Sequence, residues 1–329
     1  MEFNNIFPSP YDERDYKAKE YVAAGTRPDI FSEDDVPVLN QGKVGSCVAH
    51  ALSTLVYIIE RRKKINELKK NFSDSFSQLG IKEMSKKMSK QYSTDFIFHN
   101  RLQTDYQGEG MYVRQALSQL CKCGDCELKD LPTNTSYPNK NTTAFVNDLK
   151  EKAIQNKTKL YYRCEDTEDI LNSVFETGAV AITIKSWRSF KTFMIRDDDT
   201  MILPIPKENE EYTGYHCIVA VGYDKKGIVV QNSHGKYWGN NGRAIMPFDY
   251  PIEEAWGVES LENVFTTIEL EKNKKEAVVN GIKIDLDVPA TIIEGRMMVP
   301  LRFVAESLNC SVEYDEKTKK VLIVKKEGV

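Results

Sequence analysis

At Gly178 the apolar pattern of this 329-residue chain changes period, and that change limits the fold more than any other feature. Upstream, Leu52, Leu55, Val56 and Ile59 fall at i, i+3, i+4 and i+7, and Val113, Ala116, Leu117 and Leu120 repeat the pattern. This spacing predicts two amphipathic helices, one starting near Ser46 and one over 112–121. The basic run Arg61–Lys64 suits the C-terminal end of the first. Residues 63–95 read as polar helix or loop, and shorter helices are expected around 144–155 and 167–177. From Gly178 on, GAVAITIKSW and the runs at 216–223, 228–231 and 243–246 are β-branched and continuous, the mark of buried strands. A helical part followed by a sheet-rich part predicts an α+β fold of two lobes with a cleft between them.

A second shift occurs at EKNKKE, 271–276, which reads as a charged linker. Beyond it, Asn280-Gly281 between apolar runs signals a hairpin, VPLRFVAESL a helix, and VEYDEKTKKVLIV strand, turn, strand. The expected organisation is therefore 1–270 as one domain and 271–329 as a small ββαββ-like module. Within the first, a helical lobe covers about 40–177 and a sheet lobe about 178–270.

Composition narrows the function. The chain is 41% hydrophobic, enough for a sizeable core, and its net charge of -4 offers no basic excess for gripping nucleic acid. Its apolar runs are too short to span a bilayer. The first residues, MEFNNIFPSP, lack a signal peptide's basic and apolar regions, which by itself favours the cytoplasm. Seven cysteines are too sparse and odd in number for a disulfide framework, and four histidines are all the imidazole that any mechanism can use.

One of those cysteines, Cys47, follows Gln41-Gly42-Lys43-Val44-Gly45-Ser46 and falls in the first turn of the first predicted helix. A helix N-terminus lowers a thiol's pKa, and the thiolate is the nucleophile. A lone cysteine there is more often structural. Two later segments change the balance. His216 opens an apolar strand ending in Gly222-Tyr223, and Asn232 opens NSHGKYWGNNG, 232–242. A thiol nucleophile needs an imidazole for its proton, and the imidazole needs a group to fix its tautomer.

On these three ordered blocks the chain resembles a papain-like cysteine peptidase over about residues 30–265. The resemblance implies that Cys47 is the nucleophile, His216 the general base and acid, Asn232 the group that orients the imidazole, and Gln41 a donor to the oxyanion. It implies a helical lobe and a β-barrel-like lobe with the cleft between them, peptide or protein substrates, and no cofactor or metal. Gly45, Ser46, Tyr215 and His234 would line the site, Trp238 would wall its primed side, and Gly108-Glu109-Gly110 would pair with substrate backbone. The chain departs from the family in three places. Val44 stands where secreted members have a cysteine, Val48 replaces an aromatic residue, and His234 replaces the tryptophan that shields the Asn–His hydrogen bond. The last change should leave that pair wetter.

Other features read as ordinary structure. His50 faces the lobe interior. Cys121, Cys123 and Cys126 lack the second ligand pair that a zinc site needs. The acidic loop of Asp197–Asp199, Glu208, Glu210 and Glu211 would, if it flanked the cleft, favour basic substrates. The tail, through Val279-Asn280-Gly281, Gly295-Arg296 and Val299-Pro300-Leu301-Arg302, resembles a truncated stalk domain named after the N-terminal part of copper amine oxidases. Such modules are accessory and occur in surface or secreted bacterial proteins, so 271–329 could engage a cell-surface or protein partner. A narrow processing protease or transpeptidase, and a catalytically weak surface scaffold, are the competing readings.

Overall fold

A computed structural model describes residues 6–23, 25–72, 77–101, 110–134, 147–195, 200–260, 268–279, 282–308 and 310–325. It divides into two compact units, Met1–Asn263 and Val264–Val329.

The first unit is built on α1 (Cys47–Phe72). The predicted stripe of Leu52, Leu55, Val56 and Ile59 is buried, but so is every other residue from Cys47 to Ile59. This part of α1 is a central helix covered on all sides rather than an amphipathic one. Nor does it end at the basic run. Arg61 and Lys64 are themselves buried, Arg61 donating to the Asp34 carbonyl and Lys64 to Glu60 and the Met88 carbonyl. The cations tie neighbouring loops to the helix, which continues past them for two turns. Beside α1 lie α2 (Gln78–Met88), α3 (Thr94–His99) and α4 (Val113–Cys123). Serines 77 and 93 cap α2 and α3 through their side chains, each satisfying a first-turn N–H.

The sheet holds β1 (Phe31–Ser32), β2 (Tyr161–Cys164), β3 (Val180–Trp187), β4 (Met194–Ile195), β5 (Met201–Ile202), β6 (Tyr212–Asp224), β7 (Gly227–Gln231), β8 (Arg243–Met246) and β9 (Ile252–Val258). Their order is β2-β9-β3-β6-β7-β8-β5-β4, with β1 against β6. The sheet is strongly mixed in sequence order but open: the expected barrel-like lobe does not close among the described strands. Helix α5 (Thr167–Thr177) packs on it, so the sheet side recruits β2 and α5 from before residue 178. Gly178 then acts as the left-handed cap of α5, with φ +97°, and releases the chain into β3. Gly222 makes room instead of turning the chain. A Cβ there would come within 2.4 Å of the Phe31 carbonyl oxygen, so β1 can cross β6 only at a glycine.

Strand pleating sorts β6 between two cores. Cys217, Val219 and Val221 join Cys47 and the α1 side chains in the core between sheet and helices, whereas Ile218 and Ala220 join the core under α5.

A smaller cluster at the end of α4 holds Phe96, Cys126, Leu131 and Ala153. Asp125 beside it is fully buried, and among the described residues neither carboxylate oxygen has a hydrogen-bond partner. Burial pushes its pKa well above the usual carboxylate range. A carboxyl raised in this way costs stability as pH climbs above its unfolded value. Asp125→Asn should therefore stabilise the fold at pH 8, by of order 1–3 kcal/mol, and change little at pH 4. Thermal melts at both values check this, and an equal shift at both would mean that ionisation is not what the site resists.

The second unit carries the sheet β10 (Ile268–Leu270), β11 (Glu276–Val279), β12 (Ile282–Asp285), the hairpin β13 (Thr291–Ile293)–β14 (Arg296–Met298), α6 (Leu301–Ser307) and the hairpin β15 (Cys310–Asp315)–β16 (Lys320–Lys325). Val279 pairs with Ile282 as the hairpin signal predicts, with Asn280-Gly281 itself outside the described residues. The ββαββ expectation misses β10 and the β13–β14 hairpin. That hairpin turns at Glu294 and Gly295, both at positive φ, 50° and 75°, a two-residue turn of the kind that fits twisted strands.

Candidate active site

Cys47 and His216 lie far apart in sequence, and the segment preceding α1 brings them together. Residues 37–42 run alongside the turn that follows β7. Gln231 donates to the Pro37 carbonyl, Gly235 N–H to Leu39, and Gln41 N–H to Ser233. Asn40 and His234 form an isolated antiparallel bridge. The sequence blocks around Gln41 and Asn232 are thus one surface, and α1 starts from it.

At its centre the Cys217 main-chain N–H points at Cys47 Sγ, 3.4 Å away. One residue earlier on β6, His216 donates from Nε2 to Asn232 Oδ1 at 2.7 Å. The same Oδ1 accepts the Ser233 N–H at 2.7 Å. An oxygen that accepts two hydrogen bonds fixes the neutral imidazole with its proton on Nε2 and its lone pair on Nδ1. Asn232 is held in turn by its own N–H to the Gly242 carbonyl.

Rings lock the imidazole in place. His234 stacks on it with centroids 5.0 Å apart and 21° between planes, and Phe190 meets it edge-on at 5.7 Å. Trp238 packs on Phe190 and Phe193 at 5.7 and 5.1 Å. The shield over the Asn–His pair is therefore complete despite the missing tryptophan: both His216 and Asn232 are buried, which corrects the expectation of a wetter pair. Phe190 and Phe193 were not legible as site residues because SWRSFKTF carries no motif. Their place follows from β3 ending beside His216.

Gln41 is buried, donates from Nε2 to the Val44 carbonyl and accepts the Ser233 hydroxyl on Oε1. Its plane is set, and its amide keeps a second N–H. Ser46 turns into the helix instead of the cleft: its hydroxyl and carbonyl both meet His50 Nδ1. Gly45 is half-buried ahead of it, and Tyr215 is half-buried, with Phe7 and Tyr212 ring centroids at 6.4 and 5.7 Å. Gly110 is buried, with φ +143°; Gly108 and Glu109 lie outside the described residues. So do Asp197–Asp199. Of the remaining acids before His216, Glu210 is spent on the N–H groups of Ser189 and Lys207, and Glu211 pairs with Arg188.

Electrostatically this is a site in its uncharged state. Burial pushes the Cys47 thiol up to about 12, against the helix-terminus expectation, although the N–H groups of Cys217, Val48 and Cys47 pull the other way. Burial, then the neighbouring His234, pull His216 down to about 3. Thiol and neutral imidazole are favoured over thiolate and imidazolium as long as the site stays covered.

The segment 6–9 packs against the same core as the site. Ile6 is buried in the same core as Cys47, Val44, Met111 and Cys217. Ser9 donates its N–H to Glu254 and accepts the Arg114 N–H on its hydroxyl. Glu254 is buried and also takes hydrogen bonds from Thr183 and Trp256. Placing a charge at Ile6 should eject the segment. Ile6→Asp is expected to raise the rate of Cys47 alkylation by iodoacetamide at pH 7 by about tenfold or more, through thiolate content and access. Peptide-resolved mass spectrometry reads it, and an unchanged rate would show that 6–9 do not cover the sulfur.

The profile of the papain family cysteine protease matches residues 32–261, and that of the copper amine oxidase N-terminal domain matches 260–323. A peptidase C1-like protein of Acanthamoeba polyphaga mimivirus is 27% identical over 240 residues, covering 70% of this chain and 68% of that protein. Among solved structures, xylellain, a cysteine protease from Xylella fastidiosa, superimposes with TM-score 0.58 at 18% identity, covering 79% of this chain and 96% of its own. The protease and lectin-like domains of Cwp84, a surface layer associated protein of Clostridium difficile, give 0.56 at 13% identity, covering 83% and 60%. These structures share the papain-like fold. With the family profile spanning most of the chain, the protein belongs to the papain family of cysteine proteases, as a hydrolase of the cysteine peptidase type.

Proposed function

We propose that the protein cleaves peptide bonds through a thioester on Cys47. His216 Nδ1 takes the thiol proton as Sγ attacks the scissile carbonyl, and the same imidazole then gives it to the leaving amine. Asn232 holds the ring in the tautomer that leaves Nδ1 basic. The main-chain N–H of Cys47 and the second amide N–H of Gln41 receive the oxyanion, a contribution worth about 3–4 kcal/mol for each such donor. Water, activated by the neutral imidazole, frees the acyl group.

The observation that carries this reading is the chain of contacts at β6: Sγ meets the N–H of Cys217, and the adjacent His216 is pinned by Asn232. No helix among the described residues is long and apolar enough to cross a membrane. We further propose that 1–270 is the peptidase domain, and that the unit after it is an accessory, stalk-like module.

The test is intact mass after treatment with an epoxysuccinyl peptide, for the wild type and Cys47→Ala. One adduct on the wild type alone supports the reading. Equal labelling of both proteins, or a Cys47→Ala protein that still cleaves peptides, would refute it.

A further inference from the structure

We propose that Cys217 is a resolving thiol for Cys47, so that a peroxide converts the pair into a reversible disulfide instead of destroying the nucleophile. The inference rests on Cys47 being the reactive thiol proposed above.

Geometry carries it. The Cys217 nitrogen is 3.4 Å from Cys47 Sγ. Adding one N–Cα bond of about 1.5 Å places the Cys217 α-carbon within about 5 Å of that sulfur. A disulfide joins α-carbons about 4.4–6.8 Å apart, and a sulfur within about 5 Å of the partner's α-carbon is compatible with that span. The pleat of β6 then decides direction. Cys217 lies with Val219 and Val221 on the face that packs against α1, in the core that contains Cys47, while Ile218 and Ala220 lie on the other. Of the seven cysteines, none of them in a disulfide, only these two belong to that core. Cys121 instead meets Thr158, Cys123 meets Gln119, Cys164 meets Ser173, and Cys126 sits in the Phe96 cluster.

The two thiols also divide the labour. Cys47 can pass its proton to His216 and become the thiolate that an oxidant attacks. Cys217 faces Thr183 across the β3–β6 ladder, and the Thr183 hydroxyl is bound to the buried Glu254 carboxyl. An acidic, buried neighbourhood keeps the second thiol protonated and unreactive until a sulfenic acid forms beside it.

The chemistry balances with hydrogen peroxide as the named oxidant. The Cys47 thiolate attacks the O–O bond. One oxygen stays on sulfur as sulfenic acid, and the other leaves as hydroxide and takes the imidazolium proton to become water. Cys217 sulfur then attacks the Cys47 sulfur as its proton passes to the departing hydroxide. An S–S bond forms, the S–O bond breaks, and a second water leaves. Two thiols lose two hydrogens while one peroxide is reduced. Without a resolving thiol, the sulfenic acid proceeds to sulfinic and sulfonic acids, which reductants do not restore.

The test exposes the full chain to a few molar equivalents of hydrogen peroxide and maps its peptides without reduction. Wild type should lose two hydrogens and yield a crosslinked 47–217 peptide, and dithiothreitol should restore most of its labelling by the epoxysuccinyl peptide. Cys217→Ala and Cys217→Ser, each compared with its own untreated sample, should gain two or three oxygens on Cys47 and recover about tenfold less labelling. The wild-type map decides the matter even if neither variant folds. The inference is overturned if wild type gains oxygens on Cys47 with no 47–217 crosslink, or if Cys47 bridges to another cysteine. A protein that forms the crosslink but cleaves no peptide would sink the peptidase mechanism alone. One that cleaves through Cys47 but never crosslinks would sink only the resolving role.

Discussion

Between pH 7 and about pH 4.5 protonation of three histidines, His50 and His216 buried and His234 half-buried, should cost the fold of order 5 kcal/mol of stability. His50 and His234 are held down to about 4 and His216 to about 3, burial being the largest cause in each case. In the unfolded chain each returns to about 6.5. Below that value the unfolded state binds protons that the folded state refuses, so stability falls as pH falls, and it does so until the folded values are reached. Each histidine contributes about 1.4 kcal/mol per pH unit, hence about 2–3 kcal/mol over two units. His216 and His234 partly share their shift because each repels the other's charge, which brings the total below three times that figure. A domain's whole stability is about 5–15 kcal/mol, so the loss is large. Asp125 works against it, because its raised carboxyl favours the folded state as pH drops. The pH dependence should accordingly be steeper in Asp125→Asn. Calorimetric melts at pH 7, 6, 5 and 4.5 measure the effect, and a midpoint that is flat from 7 to 5 would mean that the imidazoles are hydrated in solution.

The same histidines show where sequence reading stops. Gln41, Cys47, His216 and Asn232 could be singled out because the three blocks that hold them resemble, in residue type and spacing, those of a known family. The switch at Gly178 was legible because a change of apolar period is a local property. What escaped depends on contacts between distant segments. A 3.6-residue stripe on α1 cannot reveal that its opposite face is covered too. Ile6, next to Phe7 in an otherwise polar stretch, carries no helix or strand periodicity, and Glu254 and Arg114, each more than a hundred residues away in sequence, hold the nearby Ser9. The helix-terminus argument for an acidic Cys47 failed for a related reason. A dipole acts over one turn, whereas desolvation is set by everything packed around the sulfur, and in a fully covered site desolvation is the larger effect.

Cys47→Ala and His216→Ala should each lower kcat by roughly 10⁴- to 10⁶-fold, and the double variant should be no worse than either alone. The reason is in the contacts. Without Cys47 there is no sulfur for the imidazole to deprotonate, and without His216 the thiol stays in the protonated state that burial favours. Each loss makes the other residue idle, so the second costs nothing further. Asn232→Ala differs. It removes the acceptor that holds Nε2–H, but His234 and Phe190 still clamp the ring from its face and edge. The imidazole then samples the wrong tautomer some of the time, and kcat should fall by about 10²-fold with KM little changed. Combining Asn232→Ala with His234→Ala removes hydrogen bond and stack together and should cost more than the product of the single effects. Steady-state kinetics on one peptide substrate, with each variant's fold checked by its thermal midpoint, separates these cases. Additive losses for Cys47→Ala and His216→Ala would mean that the two side chains act independently, and the proposed proton transfer between them would be wrong.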